Sequence, residues 1–133
     1  MMKLFASILT IAFSGISLYL YQEKPLKQSL IDGKEIYTDF CLQCHMIDGQ
    51  GVKGIFPPLA DSDYLNDIPK SIHAVKYGLK GEITVNGQTY NSAMVSQGLD
   101  DEEIADVMNY ILRNWENTTE EVITETQVAT IKK

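Results

Sequence analysis

The chain opens with a long apolar run that carries no charge. Leu4 to Tyr21 contains only apolar, small or weakly polar side chains, and Lys3 is the one charged residue before it. A membrane-spanning helix needs about 20 residues, whereas the apolar part of a cleaved signal peptide is commonly about 7–15 residues long. We therefore predict a hydrophobic helix over residues 1–21 that serves as a membrane anchor. A cleaved signal segment and a helix buried in the globular domain are the alternatives.

A domain is expected to follow after a short polar linker. Residues 22–28 are mostly polar and contain Pro25, which is typical of a connection between elements. Ser29 is the predicted N-cap of a first helix that runs to about Cys41. The residues that recur at helical spacing within it should be buried: Leu30, Gly33, Ile36, Tyr37 and Phe40.

The middle of the chain carries weaker signals. Residues 46–58 contain three glycines ahead of Pro57-Pro58, so they predict a loop. Short helical segments are expected over residues 61–65 and 69–77. Residues 82–89 favour a short β excursion around Asn86-Gly87, a dipeptide typical of tight hairpin turns.

The clearest helix begins near residue 100. Asp100 as N-cap with Glu103 at the third helical position predicts a capping box. Its apolar face consists of Ile104, Val107, Met108, Ile111 and Trp115. Beyond Asn117, the pair Thr124 and Gln127 predicts a short helix within a tail of residues 118–133. The expected fold is an all-α domain of three or more helices over residues 29–117.

Length and charge narrow the class of protein. A chain of 133 residues with 44% hydrophobic content predicts one compact domain and excludes a multidomain enzyme. Eleven basic and eighteen acidic side chains give a net charge of −7, and without residues 1–22 the net charge is −8. Such an acidic domain is not suited to bind nucleic acid.

The chemistry of the chain centres on one short motif. Cys41-Leu42-Gln43-Cys44-His45 is the C-x-x-C-H pattern of c-type haem attachment. Two thiols at this spacing can add to the two vinyl groups of one haem, and His45 can then donate its imidazole to the iron. A structural zinc site normally takes four protein ligands, and a thioredoxin-type motif belongs to a βαβ pattern, so both alternatives are weaker. We predict one haem c, covalently bound through Cys41 and Cys44.

A second axial ligand must come from a soft or imidazole side chain. Met46 adjoins His45 and cannot reach the opposite haem face, and Met108 falls on the apolar stripe of the last long helix. Met94 lies in a loop between the glycine-rich region and that helix, so it is the preferred ligand. A core methionine at position 94 and a bis-histidine haem ligated by His73 remain the alternatives.

From about Ser29 to Asn117 the chain resembles the monohaem class I cytochromes c. The resemblance is carried by the C-x-x-C-H motif, by Gly33 with Tyr37, by residues 57–59 (Pro-Pro-Leu) and by residues 98–105. It implies a compact helical domain around the covalently bound haem. Many relatives have a proline directly after the axial methionine, and here that position is Val95.

The resemblance also implies roles for individual residues. The Gly33 and Tyr37 pair is expected to pack against the last long helix around Tyr110 and Trp115. In such proteins a proline carbonyl accepts a hydrogen bond from the proximal imidazole, which implies this role for Pro57 toward His45. Leu59 is expected to pack on the haem.

The implied function is electron transfer with His45 and Met94 as axial ligands, between respiratory redox proteins outside the cytoplasm. No residue is expected to be catalytic, and the chain is not expected to be an enzyme. One alternative is a haem c enzyme or gas sensor with an open sixth iron position. Another is a fixed haem subunit of a dehydrogenase or oxidase complex, which would use the same ligands.

Charge and the apolar run lead to an expectation about partners. Residues 100–103 with Asp106, and four glutamates in residues 116–125, should create a negative field that favours a redox protein with a basic docking face. An anchored domain would meet a membrane-bound oxidase or reductase. We expect the domain on the periplasmic side of the cytoplasmic membrane, or soluble in the periplasm if residues 1–21 are cleaved.

Overall fold

The computed structural model describes residues 24–133. The predicted anchor or signal segment over residues 1–21 lies outside the described residues, as does the start of the linker. Within residues 24–133, no helix is both long enough and apolar enough to cross a membrane.

The first helix begins earlier than its sequence predicts. Helix α1 spans Leu26–Ile36, with Pro25 at the N-cap position and no side-chain cap. Proline is tolerated at a helix start because the missing N–H has no partner there. The prediction of Ser29 as N-cap is therefore wrong, and residues 26–28 form the first helical turn and not a linker. Ser29 is buried, and its hydroxyl accepts a hydrogen bond from Asn109.

The helix changes its register just before the cysteine motif. A π-helical turn, Tyr37–Cys41, follows α1 and leads directly into the short helix α2, Leu42–His45. The wider turn rotates the following residues relative to an α-helix. Phe40, expected on the buried face, is 44% exposed, whereas Tyr37 remains buried.

The middle region is a loop followed by short elements. Residues 46–62 have no regular element apart from an isolated bridge between Val52 and Phe56. A 3₁₀ helix, Asp63–Asn66, and helix α3, Ile68–Tyr77, come next. Strands β1, Ile83–Val85, and β2, Gln88–Tyr90, pair antiparallel across Asn86-Gly87, as the turn dipeptide predicts. The domain is thus helical with one small hairpin.

Helix α4, Asp101–Ile111, forms the centre of the core. The predicted capping box is confirmed: Glu103 N donates to Asp100 Oδ1 and Asp100 N donates to Glu103 Oε2, both at 2.9 Å. Helices α1 and α4 meet at Gly33, where a Cβ would lie 2.1 Å from the Asp106 carbonyl oxygen. Only glycine permits this approach.

An aromatic cluster packs the π-helical turn against α4 and the residues that follow it. The ring centroid of Tyr37 lies 5.5 Å from that of Tyr110 and 5.0 Å from that of Trp115. The Tyr37 hydroxyl donates to the Met46 carbonyl oxygen at 2.6 Å. The chain segment directly after the cysteine motif is therefore held against the π-helical turn, whose Tyr37 ring packs on Tyr110 of α4.

The tail packs against α4 and contributes to the core. Helix α5, Glu125–Thr130, has Thr124 as its N-cap, and the Thr124 hydroxyl accepts from Gln127 N at 3.2 Å. Ile123 and Val128 are fully or almost fully buried. The tail is thus part of the folded domain and contributes to its core.

Candidate haem-binding site

A cavity lies among the cysteine motif, the Pro57 segment, α3, the hairpin and α4. It brings together Cys41, His45, Pro57, Leu59 and Met94. The remaining wall is almost entirely apolar, and its aliphatic and thioether side chains are Leu65, Ala74, Val75, Leu79, Ile83, Val85, Val107, Met108 and Ile111. An apolar wall with a thiol, an imidazole and a thioether fits a flat apolar macrocycle with a central iron.

His45 is buried and oriented by the Pro57 segment. Its Nδ1 lies 3.0 Å from the Pro57 carbonyl oxygen, within hydrogen-bond distance. Burial lowers the pKa of His45, and the hydrogen bond to Pro57 offsets this shift only in part. A lowered pKa favours the neutral imidazole at neutral pH, which is the form that binds metals. With Nδ1–H donating to the carbonyl, Nε2 has the free lone pair.

A glycine loop allows the Pro57 segment to approach His45. Gly51 N donates to the His45 carbonyl oxygen at 3.0 Å. A Cβ on Gly51 would lie 2.3 Å from the Phe56 carbonyl oxygen, and its φ of +62° also favours glycine. The loop therefore closes back on itself, which positions the Pro57 carbonyl beside the imidazole.

The two cysteines are free and partly buried. Cys41 lines the cavity at the end of the π-helical turn, and Cys44 lies one helical turn further on, in α2. Burial, with a smaller contribution from Cys44, raises the pKa of the Cys41 thiol to about 11. Thioredoxin-type cysteines have a lowered thiol pKa, so this environment does not support a dithiol redox site.

Met94 is presented to the cavity by a fixed loop. Leu79 and Met94 form an isolated antiparallel bridge, in which each backbone N donates to the other's carbonyl oxygen at 2.8 and 2.9 Å. Gly78 permits this contact, since a Cβ there would lie 2.7 Å from the Met94 carbonyl oxygen. The backbone on each side of the methionine is thus held to the end of α3.

The other candidate ligands are placed differently. Met108 is 1% exposed in the core and also lines the cavity. Met46 and His73 are not among the residues of the cavity wall. The His73 ring packs against the Tyr77 ring, with centroids 5.0 Å apart. Among residues 24–133, which include every histidine and cysteine of the chain, no group of three or more His, Cys, Asp or Glu side chains could hold a metal ion.

Several wall residues were not predicted from the sequence. The hairpin contributes Ile83 and Val85. Ser62, directly before the 3₁₀ helix, and Tyr64 within it also line the cavity. The alternation of Ile83 and Val85 with polar neighbours was a usable signal for an inward strand face. Nothing local marked Ser62 or Tyr64, because their position depends on how the 3₁₀ segment packs.

The acidic start of α4 is partly neutralised by two lysines. Lys24 Nζ contacts carboxylates of Asp32, Glu102 and Asp106 at 2.6–2.7 Å. Lys76 Nζ lies 2.7 Å from Asp101. The negative field expected around residues 100–106 is therefore weaker than the sequence suggests. The acidic side chains of Glu116 and, in the tail, of Glu120, Glu121 and Glu125 are exposed.

Comparison with known proteins assigns the family. The cytochrome c family model matches residues 30–115. Cytochrome c-552 of Thermus thermophilus is 42% identical over 96 residues, which cover 63% of this chain and 68% of that protein. The cytochrome c subunit of the quinone alcohol dehydrogenase of Gluconobacter oxydans is 32% identical over 106 residues, covering 75% of this chain and 22% of that subunit. For the gluconate 2-dehydrogenase cytochrome c subunit of Pantoea cypripedii, 32% identity extends over 108 residues, 76% of this chain and 24% of the subunit.

The chain therefore belongs to the cytochrome c family, and the predicted resemblance to the monohaem class I proteins is confirmed. Membership implies a covalently bound haem c and a role in electron transfer. Cytochromes c are electron carriers and not enzymes, in agreement with the prediction from the sequence.

Proposed function

We propose that this chain transfers electrons through one haem c, which is bound through Cys41 and Cys44 and ligated by His45 and Met94. When bound, the haem supplies a one-electron couple between ferric and ferrous iron. The observation that carries the proposal is the meeting of Cys41, His45 and Met94 at one apolar cavity, although Cys41 and Met94 are 53 positions apart in the chain.

His45 acts as a neutral, pre-oriented ligand. Its hydrogen bond to the Pro57 carbonyl selects the tautomer that leaves Nε2 for the iron and raises the basicity of the ring. Because His45 is only 7% exposed, water is kept from competing for its Nε2. Pro57 is thus a positioning residue, and Leu59 fills the adjacent wall.

Met94 supplies a soft ligand from a loop that needs no proline to hold it. Val95, where many relatives have proline, is 65% exposed, and the two hydrogen bonds between Leu79 and Met94 restrict the loop instead. His/Met ligation and an apolar surrounding both favour the ferrous state and hence a relatively high potential. Two occupied axial positions would leave no iron site for a substrate.

We propose the domain organisation and location that the apolar run predicts. Residues 1–21 anchor the chain, a short linker follows, and the haem domain with its tail lies on the periplasmic side of the membrane. Cytochromes c are typically extracytoplasmic, which supports this side. The proposed partners are redox proteins of the respiratory chain with a basic docking face, such as a membrane-bound oxidase or reductase.

A fixed subunit of a dehydrogenase complex is the second candidate function. It is favoured by the relatives that are cytochrome c subunits of alcohol and gluconate dehydrogenases. The two candidates use the same site and differ in association. Purification of the full chain from membranes in mild detergent separates them, because a fixed subunit co-purifies at constant stoichiometry with a dehydrogenase and a carrier is recovered alone.

The axial assignment is tested by replacing Met94, Met46 and His73 in turn in the haem-loaded protein. Met94→Ala should abolish the weak ferric charge-transfer band of methionine ligation and allow the ferrous protein to bind carbon monoxide rapidly. Met46→Ala and His73→Ala are the matched controls and should leave both properties unchanged. A change of the iron spectrum in His73→Ala but not in Met94→Ala would refute the assignment, and rapid carbon monoxide binding by the unmodified protein would favour the open-site alternative.

A further inference from the structure

Two hydroxyl groups on the cavity wall are buried without a hydrogen-bond partner among residues 24–133. They are Ser62 Oγ and Tyr64 OH, and both residues line the cavity. Ser62 is only 7% exposed. A buried hydroxyl without a partner is uncommon in native proteins because its lost hydration is not compensated. Each of these groups therefore indicates a missing polar partner in the cavity.

The segment that carries the two hydroxyls is held firmly in place. Asp63 and Asn86 exchange two hydrogen bonds, from Asp63 N to Asn86 Oδ1 at 2.9 Å and from Asn86 N to Asp63 Oδ1 at 2.8 Å. Asn86 Nδ2 also donates to the Asp61 carbonyl oxygen at 2.9 Å. The hairpin turn thus fixes the backbone on both sides of Ser62.

The hydroxyl of Ser71, which also lies on the cavity wall, has hydrogen-bond partners within the protein. Ser71 Oγ lies 3.2 Å from the Tyr64 carbonyl oxygen and 3.0 Å from the Asp67 carbonyl oxygen, so its hydrogen bond is made within the protein. This contact ties α3 to the backbone of Tyr64. The side chains of Ser62 and Tyr64 remain available to a group that enters the cavity.

The chemistry of that group follows from the haem itself. Its macrocycle is apolar, and its only strongly polar substituents are two propionate carboxylates, which accept hydrogen bonds. Burial raises the pKa of Tyr64, so its hydroxyl remains a donor at neutral pH. Lys70 Nζ lies 4.4 Å from the centroid of the Tyr64 ring and adds positive charge on this side.

We propose that Ser62 Oγ and Tyr64 OH donate hydrogen bonds to a haem propionate and so hold it in its ionised form. The inference rests on the proposed function, because it requires a haem in this cavity. Hydrogen bonds to a carboxylate stabilise the charged form and lower its pKa. Ser62 and Tyr64 are thus cofactor-binding residues beyond the C-x-x-C-H motif.

The test is the pH dependence of the midpoint potential in the haem-loaded protein, with Ser62→Ala, Tyr64→Phe and the double variant. Loss of one charge-assisted hydrogen bond should raise the propionate pKa by about one unit, and the double variant should show the larger shift. Ser92→Ala, an exposed serine outside the cavity wall, and Tyr77→Phe, also outside the wall, are the controls and should titrate like the unmodified protein.

Other titratable groups near Ser62 and Tyr64 do not affect the comparison of the variants with the unmodified protein. Those around the segment are Asp61, Asp63, Asp67, Lys70 and Glu116, with His45 on the same cavity wall. They are common to all variants, so a difference between variants reports the altered hydroxyl. If both variants titrate like the unmodified protein, the hydroxyls bind another partner such as water and the inference is overturned. Failure of the proposed function itself would appear earlier, as an unmodified protein without covalent haem.

Discussion

Asn109 links the tail to the core, and its replacement by leucine should be strongly destabilising. The side chain is 1% exposed. Its Nδ2 donates to Ser29 Oγ at 3.0 Å and to the Ile123 carbonyl oxygen at 2.8 Å. Its Oδ1 accepts from Ile123 N at 2.9 Å and from Arg113 Nη1 at 3.2 Å. The amide therefore satisfies both backbone groups of Ile123 in the way that a paired strand would.

The magnitude follows from the partners that Asn109→Leu leaves behind. Ile123 N–H, Ile123 C=O and Ser29 Oγ all lie at residues that are 4% exposed or less. Each unsatisfied buried group costs about 1–3 kcal/mol. A small shift of the tail toward water and the burial of leucine would recover part of this cost. We expect a net loss of about 3 kcal/mol in the free energy of unfolding, a large share of the total of about 5–15 kcal/mol that is typical of such domains.

Guanidinium unfolding of the haem-loaded protein measures this loss. With a slope of about 3 kcal/mol per molar guanidinium, the midpoint should fall by about 1 M at unchanged slope. Asn91→Leu, at an exposed position, is the matched control and should leave the midpoint nearly unchanged. A loss below about 1 kcal/mol for Asn109→Leu would show that Ile123 finds other partners, and the role assigned to Asn109 would be wrong.

Three further predictions concern the helix contact, the ion pairs and the surface charge. Gly33→Ala should lower the free energy of unfolding by about 1–3 kcal/mol, because the added Cβ would overlap the Asp106 carbonyl. The control Lys34→Ala, on the exposed face of the same helix, should be neutral or slightly stabilising. Equal effects of the two variants would contradict the close contact at Gly33. Lys24→Met should lower the free energy of unfolding by about 1–2 kcal/mol, because it leaves the buried Asp106 without its cation. The control Lys27→Met, at an exposed position, should lower it by less than about 0.5 kcal/mol. Coincident unfolding curves of the two variants would refute the role of Lys24 as the partner of Asp106. Association with a basic redox partner should slow as salt rises from about 0.01 to 0.15 M. Neutralising Glu120, Glu121 and Glu125 to glutamine should reduce that dependence, because it removes three exposed negative charges; a flat rate in the unmodified protein would exclude electrostatic steering.

The features that could be predicted from the sequence are set by interactions between residues close together in the chain. The C-x-x-C-H motif, the capping box of Asp100 with Glu103 and the Asn86-Gly87 turn each depend on residues that are near neighbours in the chain. Their geometry is set by bond lengths, backbone dihedrals and one or two hydrogen bonds, so residue type and spacing suffice. The apolar face of α4 from Ile104 to Ile111 was equally predictable, because the helical period places its residues together regardless of what they contact. Trp115, expected on the same face, lies beyond the end of the helix.

Only the tertiary structure decided the features that join distant segments. Ser29 has the residue type of an N-cap, yet its hydroxyl is used by Asn109, 80 residues away, and the helix begins at Leu26. Lys24 reaches Asp106 across 82 residues, which places a cation among the predicted acidic residues at the start of α4. The hydroxyls of Ser62 and Tyr64, which have no hydrogen-bond partner among residues 24–133, are buried only because the tertiary fold encloses them. Burial and pairing are properties of the assembled surroundings, and the free energy of a polar side chain depends on those surroundings more than on its neighbours in sequence.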